Sequence, residues 1–100
     1  MGAQPRLVCI NGPLQGREFP IGQGIVLGQK GQVAVADPNV SSQHAWVGPG
    51  PDGRIVARDL GSQTGTFLNH SQPVRESALS DQDVVTLGLQ GTTRFVYRTS

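Results

Sequence analysis

Short runs of β-branched and apolar residues recur along the whole chain, and each is followed by glycine, proline, asparagine or aspartate. This regular spacing is typical of an all-β sandwich or barrel, because such residues suit a pleated sheet and the intervening ones form tight turns. No segment develops the apolar stripe of an amphipathic helix. We read strands near 6–10, 17–21, 24–28, 33–36, 43–48, 53–60, 66–68, 84–88 and 93–98, and a loop over 76–83.

Composition excludes several classes of protein. One hundred residues allow a single domain with a modest core, and 36% hydrophobic residues make that domain globular. A formal net charge of +1 creates no broad field for nucleic acid or an anionic membrane, so we expect neither as a partner. The single cysteine, Cys9, cannot form an internal disulfide, which favours a reducing compartment and a cytoplasmic location.

The segment "VSSQHAWV" (40–47) places two serines close to a histidine. A serine becomes a nucleophile only when a base lies within hydrogen-bond reach and a third group orients that base. On a strand, Ser42 and His44 share one face while Ser41 points to the other, so neither serine is an obvious partner for the ring. No acidic residue is placed to orient His44 and no G-x-S-x-G elbow occurs, so the pattern disfavours a hydrolase. Trp46, two residues after His44, is expected to face the core.

Three polar loops follow or precede these strands, and their order carries a resemblance. The chain has "LGQ" at 27–29, "SSQH" at 41–44, "DLGSQTGTFLN" at 59–69 and "VVTLG" at 84–88. In this order and spacing the motifs resemble those of the forkhead-associated (FHA) domain, a phosphothreonine-peptide reader. The resemblance implies an all-β fold, an antiparallel β-sandwich of about 9–11 strands in two sheets. It implies an FHA-like domain over 5–98, preceded by a disordered segment or an expression remnant at 1–4.

The resemblance also implies a function and a set of site residues. In the FHA family the serine of Ser-x-x-His binds phosphate and the histidine braces the recognition loops. The expected role is therefore a non-catalytic signalling module that binds a phosphothreonine-containing protein or peptide, with no cofactor, no metal and no catalytic residue. The expected phosphopeptide-binding residues are Gln29, Lys30, Ser41, Ser42, Gln63 and Thr64. The expected supporting residues are Gly28, His44, Gly65, Thr66 and Asn69.

Three positions depart from the family pattern. Gln29 replaces the expected arginine, Thr64 replaces the expected asparagine, and Ser42 stands where many members carry a basic residue. A charge-assisted hydrogen bond contributes roughly 1.5–3 kcal/mol against about 1 kcal/mol for a neutral one, so phosphate affinity should fall about tenfold. Lys30 is the remaining nearby cation. The alternative is a degenerate FHA domain that binds an unmodified protein partner or associates with itself.

Overall fold

The computed structural model describes residues 4–69 and 72–99, and within these ranges the chain forms eleven β-strands and no helix. The strands are β1 (Arg6–Asn11), β2 (Glu18–Pro20), β3 (Ile25–Gly28), β4 (Val33–Ala34), β5 (Ala45–Pro49), β6 (Ile55–Asp59), β7 (Thr66–Leu68), β8 (Gln72–Pro73), β9 (Glu76–Ala78), β10 (Val84–Leu87) and β11 (Thr93–Arg98). One sheet has the order β2-β1-β11-β10-β7-β8 and the other β4-β3-β5-β6-β9. Only β3 and β4 pair in parallel among these strands. The expected two-sheet sandwich is confirmed. The part of the expected leading segment at residues 1–3 lies outside the described residues.

Alternating side chains from the two sheets meet in one core. On β11, Phe95 and Tyr97 are buried between the sheets, while Val96 between them points outward. Phe19 on β2 packs edge-on against Phe95, with 6.2 Å between the ring centroids. The largest fully buried apolar side chains are Phe95, Leu7, Ile21, Leu27 and Leu87. Burying each contributes roughly 1.5–3 kcal/mol of hydrophobic stabilisation.

The register of the five-stranded sheet brings three loops together. Ala45, the first residue of β5, pairs with Leu27 near the end of β3 and with Asp59 at the end of β6. Because these three residues form one row across the sheet, the loops at 29–32, 35–44 and 60–65 leave from the same end of the sandwich.

A second row, in the six-stranded sheet, adds a fourth loop to that end. Leu87, the last residue of β10, pairs with Thr66 at the start of β7 and with Thr93 at the start of β11. The loop at 60–65 connects Asp59 of the first row to Thr66 of the second, so both rows border the same end. The loop at 88–92 therefore emerges beside the other three.

Two sequence predictions about the fold are wrong. The segment at 76–83 was expected to be a loop, but it begins with strand β9, which pairs with β6. The side chains of Arg58 on β6 and Glu76 on β9 form an ion pair, with 2.7 Å between Nε and Oε1. Trp46 lies half-buried on the outer face of its sheet, because His44 precedes β5 and the strand alternation begins at Ala45. The guanidinium of Arg58 covers the Trp46 ring, 5.0 Å from its centroid.

Candidate functional site

Three of the four loops enclose a shallow polar depression of about 450 Å3. Within residues 4–69 and 72–99 no charged side chain lines it, since the wall consists of uncharged polar side chains, glycine, proline and valine. Its lining residues are Gln29, Pro38, Val40, Ser41, Ser42, Gln43, Gly61 and Gln63. Four residues predicted from the sequence as ligands therefore meet in one place: Gln29, Ser41, Ser42 and Gln63.

The loop after β3 lies directly on the backbone of the serine pair. The N–H groups of Gln29 and Lys30 donate to the carbonyls of Ser41 (3.0 Å) and Ser42 (2.9 Å). A Cβ atom at position 28 would stand 2.3 Å from the Ser42 carbonyl oxygen. Only glycine permits this approach, which is the physical reason for Gly28 at the end of β3.

The fully buried ring of His44 joins two of the loops. Its Nδ1 accepts a hydrogen bond from the Ser41 N–H (3.1 Å), and its Nε2 lies 2.7 Å from the carbonyl oxygen of Gly65. Since the first contact needs a bare Nδ1 and the second needs a proton on Nε2, the network assigns the Nε2–H tautomer. His44 thereby fixes the distance between the loop that carries Ser41 and the loop that ends at Gly65.

The hydroxyl of Ser41 does not bond to the imidazole. Its Oγ accepts a hydrogen bond from the Gln63 N–H at 3.1 Å, while both nitrogens of His44 contact backbone groups. The pair therefore lacks the hydroxyl–imidazole hydrogen bond on which nucleophilic activation depends. Ser41 retains a hydroxyl hydrogen that it can donate to a ligand in the depression.

The carboxylate of Asp59 shapes the loop after β6. Its oxygens accept from the Gly61 N–H (3.1 Å), from the Ser62 N–H (3.2 Å) and hydroxyl, and from the Thr66 hydroxyl (2.7 Å). Burial alone would raise the pKa of this carboxyl, but the hydrogen bonds outweigh it and hold the pKa of Asp59 below its usual value. The Ser62 hydroxyl accepts in turn from the Gly65 N–H at 2.9 Å.

Asp37 ties the loop before β5 to the loop between β10 and β11. Only 5% of its surface is exposed, and its Oδ2 accepts hydrogen bonds from the hydroxyls of Thr92 and Thr93, both at 2.6 Å. Its Oδ1 accepts from the Asn39 N–H at 2.9 Å. Burial alone would raise the pKa of Asp37, but these hydrogen bonds outweigh it and lower the pKa. The loop at 88–92 thus braces the depression without lining it.

In this conformation the side chain of Gln29 donates its hydrogen bonds to the protein backbone and not to a bound anion. Its Nε2 donates to the carbonyl oxygens of Asp37 and Val40, both at 2.9 Å. These two bonds use both amide hydrogens, and an amide oxygen cannot donate. Gln29 therefore has no hydrogen bond left to give to a phosphate, and it fastens the loop that carries Ser41.

Three other predicted residues lie outside the lining of the depression. Lys30 is exposed and directly follows Gln29 along the chain. The Thr64 hydroxyl donates to the Asn39 carbonyl oxygen at 2.7 Å, which links the loops behind the depression. Asn69 has a φ of 57° and contacts β10, with its Oδ1 accepting from the Val84 N–H at 3.1 Å. Strand β7 separates it from Gly65 by roughly 13 Å, and its expected role in supporting the loops stays a prediction.

Sequence reasoning missed Asp37 and the two threonines that it binds. The "DPN" turn at 37–39 gives a local signal, since a short carboxylate there accepts the N–H two residues on. The contacts of Asp37 with Thr92 and Thr93 leave no local signal in the sequence, because 55 and 56 residues separate the partners. Among residues 4–69 and 72–99, no cluster of three histidine, cysteine or acidic side chains could hold a metal ion, and no helix is long and apolar enough to cross a membrane.

Comparison with known families agrees with this geometry. The sequence model of the FHA domain matches residues 16–88, which is most of the chain. The chain belongs to the FHA domain family. FHA domains are in general non-catalytic interaction modules.

The FHA domain-containing protein At4g14490 of Arabidopsis thaliana is 33% identical over 90 residues, covering 83% of this chain and 23% of that protein. The chain therefore spans less than a quarter of that relative.

Solved FHA domains superpose over nearly the whole chain. The FHA domain of the CT664 protein from Chlamydia trachomatis has a TM-score of 0.81 and 29% identity, with 98% of this chain and 99% of that chain covered. A structure from an analysis of phosphothreonine-dependent FHA domain interactions has a TM-score of 0.81 and 25% identity, with 100% and 98% covered. The FhaA FHA domain in complex with the intracellular domain of Rv3910 has a TM-score of 0.79 and 26% identity, with 95% and 100% covered.

Proposed function

We propose that this FHA domain binds phosphothreonine-containing peptides in the depression, with an affinity weakened by its lack of charged donors. Two similar domains support a binding role at this fold, one studied for phosphothreonine-dependent interactions and one bound to the domain of another protein. The observation that carries the proposal is the Ser41 hydroxyl, which lies in the depression and has a hydrogen available for donation.

The donors around Ser41 set the expected strength. Ser42, Gln43 and Gln63 line the same depression and offer neutral hydroxyl or amide hydrogens. Lys30, the chain's single lysine, directly follows Gln29 and supplies a positive charge on a long side chain. Each neutral donor contributes about 1 kcal/mol where a charged one contributes roughly 1.5–3 kcal/mol. The missing arginine at position 29 therefore corresponds to about a tenfold loss of phosphate affinity.

A second candidate function is recognition of an unmodified protein segment in the same depression. Two observations favour it: no charged side chain lines the depression, and both amide hydrogens of Gln29 are turned to loop carbonyls. Such a site suits a neutral polar residue as well as a phosphate, because neutral donors carry a smaller desolvation cost than charged ones.

The test uses a degenerate peptide library in paired forms, with threonine or phosphothreonine at the fixed position. We expect the phosphorylated form to bind more tightly and Ser41→Ala to reduce that difference. Lys30→Ala should weaken the phosphorylated form further. Ser80→Ala, an exposed serine on the β9–β10 loop, is the matched control and should leave binding unchanged. Equal binding of both forms, unaffected by Ser41→Ala, would replace the proposal with the second candidate.

A further inference from the structure

The outer face of the six-stranded sheet carries a partly exposed apolar area, in which Val8 and Val84 are half-buried and Val96 is 8% exposed. On β1 and β11 the core-facing residues are Leu7, Cys9, Phe95 and Tyr97, so their neighbours point outward. Val8, Val96 and Val84 pair side by side across β1, β11 and β10 and form an outward row of three valines. A sheet face in contact with water normally carries polar residues, and this row of three valines does not.

The adjoining outward row continues the apolar surface around one arginine. Arg94 and Phe67 are both cross-strand partners of Thr86, and the bulge in β1 brings Ile10 beside Arg94. Ile10 is 42% exposed, and Leu89 in the loop that leaves β10 is 76% exposed. We call Val8, Ile10, Phe67, Val84, Leu89, Arg94 and Val96 the outer patch.

Two depressions meet at Arg94. One of about 400 Å3 is lined by Ile10, Asn69, Val84 and Arg94, and its surface is largely apolar. The other, about 120 Å3, lies between Phe67, Leu89 and Arg94. The patch therefore offers one largely apolar recess and one smaller recess of mixed polar and apolar lining, with the guanidinium of Arg94 between them. Neither depression shares a lining residue with the one that contains Ser41.

The outer face of the five-stranded sheet differs, because its charged and aromatic side chains contact one another. There Arg58 lies over the Trp46 ring and also forms an ion pair with Glu76 at 2.7 Å, so both the ring and the charge have partners. Arg94 has no comparable partner. Among residues 4–69 and 72–99, no carboxylate lies within 4 Å of its guanidinium and no hydrogen bond engages it. The one carboxylate on this outward face, Glu18, is already paired with Arg6 at 2.9 Å.

We propose that the outer patch docks an unphosphorylated segment of a partner protein in which a carboxylate lies between two apolar side chains. The carboxylate pairs with Arg94, and the apolar side chains fill the recesses at Ile10 and at Leu89. A charge-assisted, two-pronged contact between arginine and carboxylate fits this geometry better than a neutral partner does. A second copy of the chain fits poorly, because a two-fold interface on this patch would bring Arg94 against its own copy.

The probe is a phage-displayed library of random unphosphorylated peptides, selected on the wild-type domain. We expect the enriched peptides to combine acidic and apolar residues. Arg94→Glu should weaken them by more than about tenfold, since a like charge then faces the carboxylate, and Leu89→Ser should weaken them by a few fold. Both residues are exposed, so thermal unfolding should be unchanged in both variants.

Matched controls separate the outer patch from general surface effects and from the depression. Arg54→Glu and Leu60→Ser change an exposed arginine and an exposed leucine on other parts of the surface, and Ser41→Ala changes the depression. All three should leave the selected peptides bound as before. A library that yields no peptide dependent on both Arg94 and Leu89 overturns the proposal.

Two further measurements test other occupants of the patch. Sedimentation of the domain alone detects self-association, and a dimer lost in Leu89→Ser would assign the patch to a second copy. Co-sedimentation with vesicles that contain phosphatidylserine detects a lipid surface, and binding abolished by Arg94→Glu would assign the patch to membranes. Either result overturns the proposed protein segment. A monomer that does not bind vesicles supports it.

Discussion

Asp37 and Asp59 stand at the same end of the sandwich, and neither forms an ion pair within the described part of the chain. Hydroxyl and N–H donors stabilise both carboxylates, and in both the donors outweigh burial and lower the pKa. The difference is where the donors come from. Those of Asp59 lie within seven residues of it, whereas the hydroxyls that bind Asp37 come from residues 92 and 93.

The comparison shows two ways of building a binding loop. The loop after β6 is organised by its own sequence, because Asp59, Ser62 and Thr66 close it locally. The loop before β5 takes its shape from the finished fold, since Asp37 binds a distant loop and Gln29 fastens its backbone from β3. The first is a stable turn, and the second depends on the packing of both sheets.

The largest expected effect separates these two carboxylates. Asp37→Ala should lower the free energy of unfolding by about 3 kcal/mol, because it leaves the fully buried hydroxyl of Thr93 without a partner. Asp59→Ala also leaves a buried hydroxyl, that of Thr66, without its partner, but it should cost only about 1.5 kcal/mol, because Asp59 is half-exposed and water can enter the vacated site. Urea denaturation measures both. Asp52→Ala, in the exposed β5–β6 turn, is the control and should stay within about 0.5 kcal/mol of wild type. Equal losses at positions 37 and 59 would contradict the distinction.

Substitution of His44 tests whether the loop at 35–44 and the loop at 60–65 act as one unit. His44→Ala removes the bridge between Ser41 and Gly65 and should lower the free energy of unfolding by about 2 kcal/mol. Ser41→Ala removes only a hydroxyl at the edge of the depression, so stability should stay within about 0.5 kcal/mol while phosphopeptide binding falls. Calorimetric melting combined with peptide titration separates the two roles. Equal melting losses in both variants, with unchanged binding per folded molecule, would show that the assignment is wrong.

A substitution at position 29 tests whether the side chain that holds the loop at 35–44 in place can also bind an anion. Gln29→Arg adds a guanidinium with five donors, enough to bond the carbonyls of Asp37 and Val40 and still reach a phosphate. Binding of phosphothreonine peptides should tighten by about tenfold, and the gain should shrink with added salt. Gln43→Arg, which adds the same charge elsewhere in the depression, should gain less. An equal gain in the two variants would mean that overall charge alone explains the effect.

The smallest expected effect is a sensitivity to acid that the two carboxylates share. Since the pKa of each is lower in the folded state, each stabilises the fold above the unfolded pKa of about 3.9, and this contribution is lost as the pH falls through the folded value. Asp37→Asn and Asp59→Asn should each flatten the loss of stability below about pH 4. Urea midpoints measured across this pH range are the readout.

Sequence predicted what is local or repeated. Alternating apolar residues and turn residues gave the strands, and the motif around Ser41 and His44 located the depression. The closing turn at Asp59 was also readable, because all its donors lie within one short segment. These features depend on neighbours along the chain, which a single sequence displays.

Sequence could not predict contacts that depend on the assembled sheets. The amide of Gln29 turns inward because the carbonyls of Asp37 and Val40 lie beside it only in the folded protein. Trp46 was placed on the wrong face because the residue at which β5 begins is set by its pairing with β3 and β6. The short strand β9 has little pattern of its own and forms along the edge of β6.

The distribution of chromophores gives each layer of the sandwich its own optical signal. The single tryptophan, Trp46, belongs to the five-stranded sheet, and the single tyrosine, Tyr97, is buried in the six-stranded one. Tryptophan fluorescence, excited at a wavelength that tyrosine does not absorb, therefore reports on the five-stranded sheet, beside Ser41 and His44. The near-ultraviolet circular dichroism of tyrosine reports on the six-stranded sheet, which contains Arg94. Coincident unfolding curves from the two signals would show that the layers melt as one cooperative unit. Since Trp46 lies outside the lining of every depression described above, a ligand that binds in one of them and changes its emission acts through the protein rather than by contact with the indole.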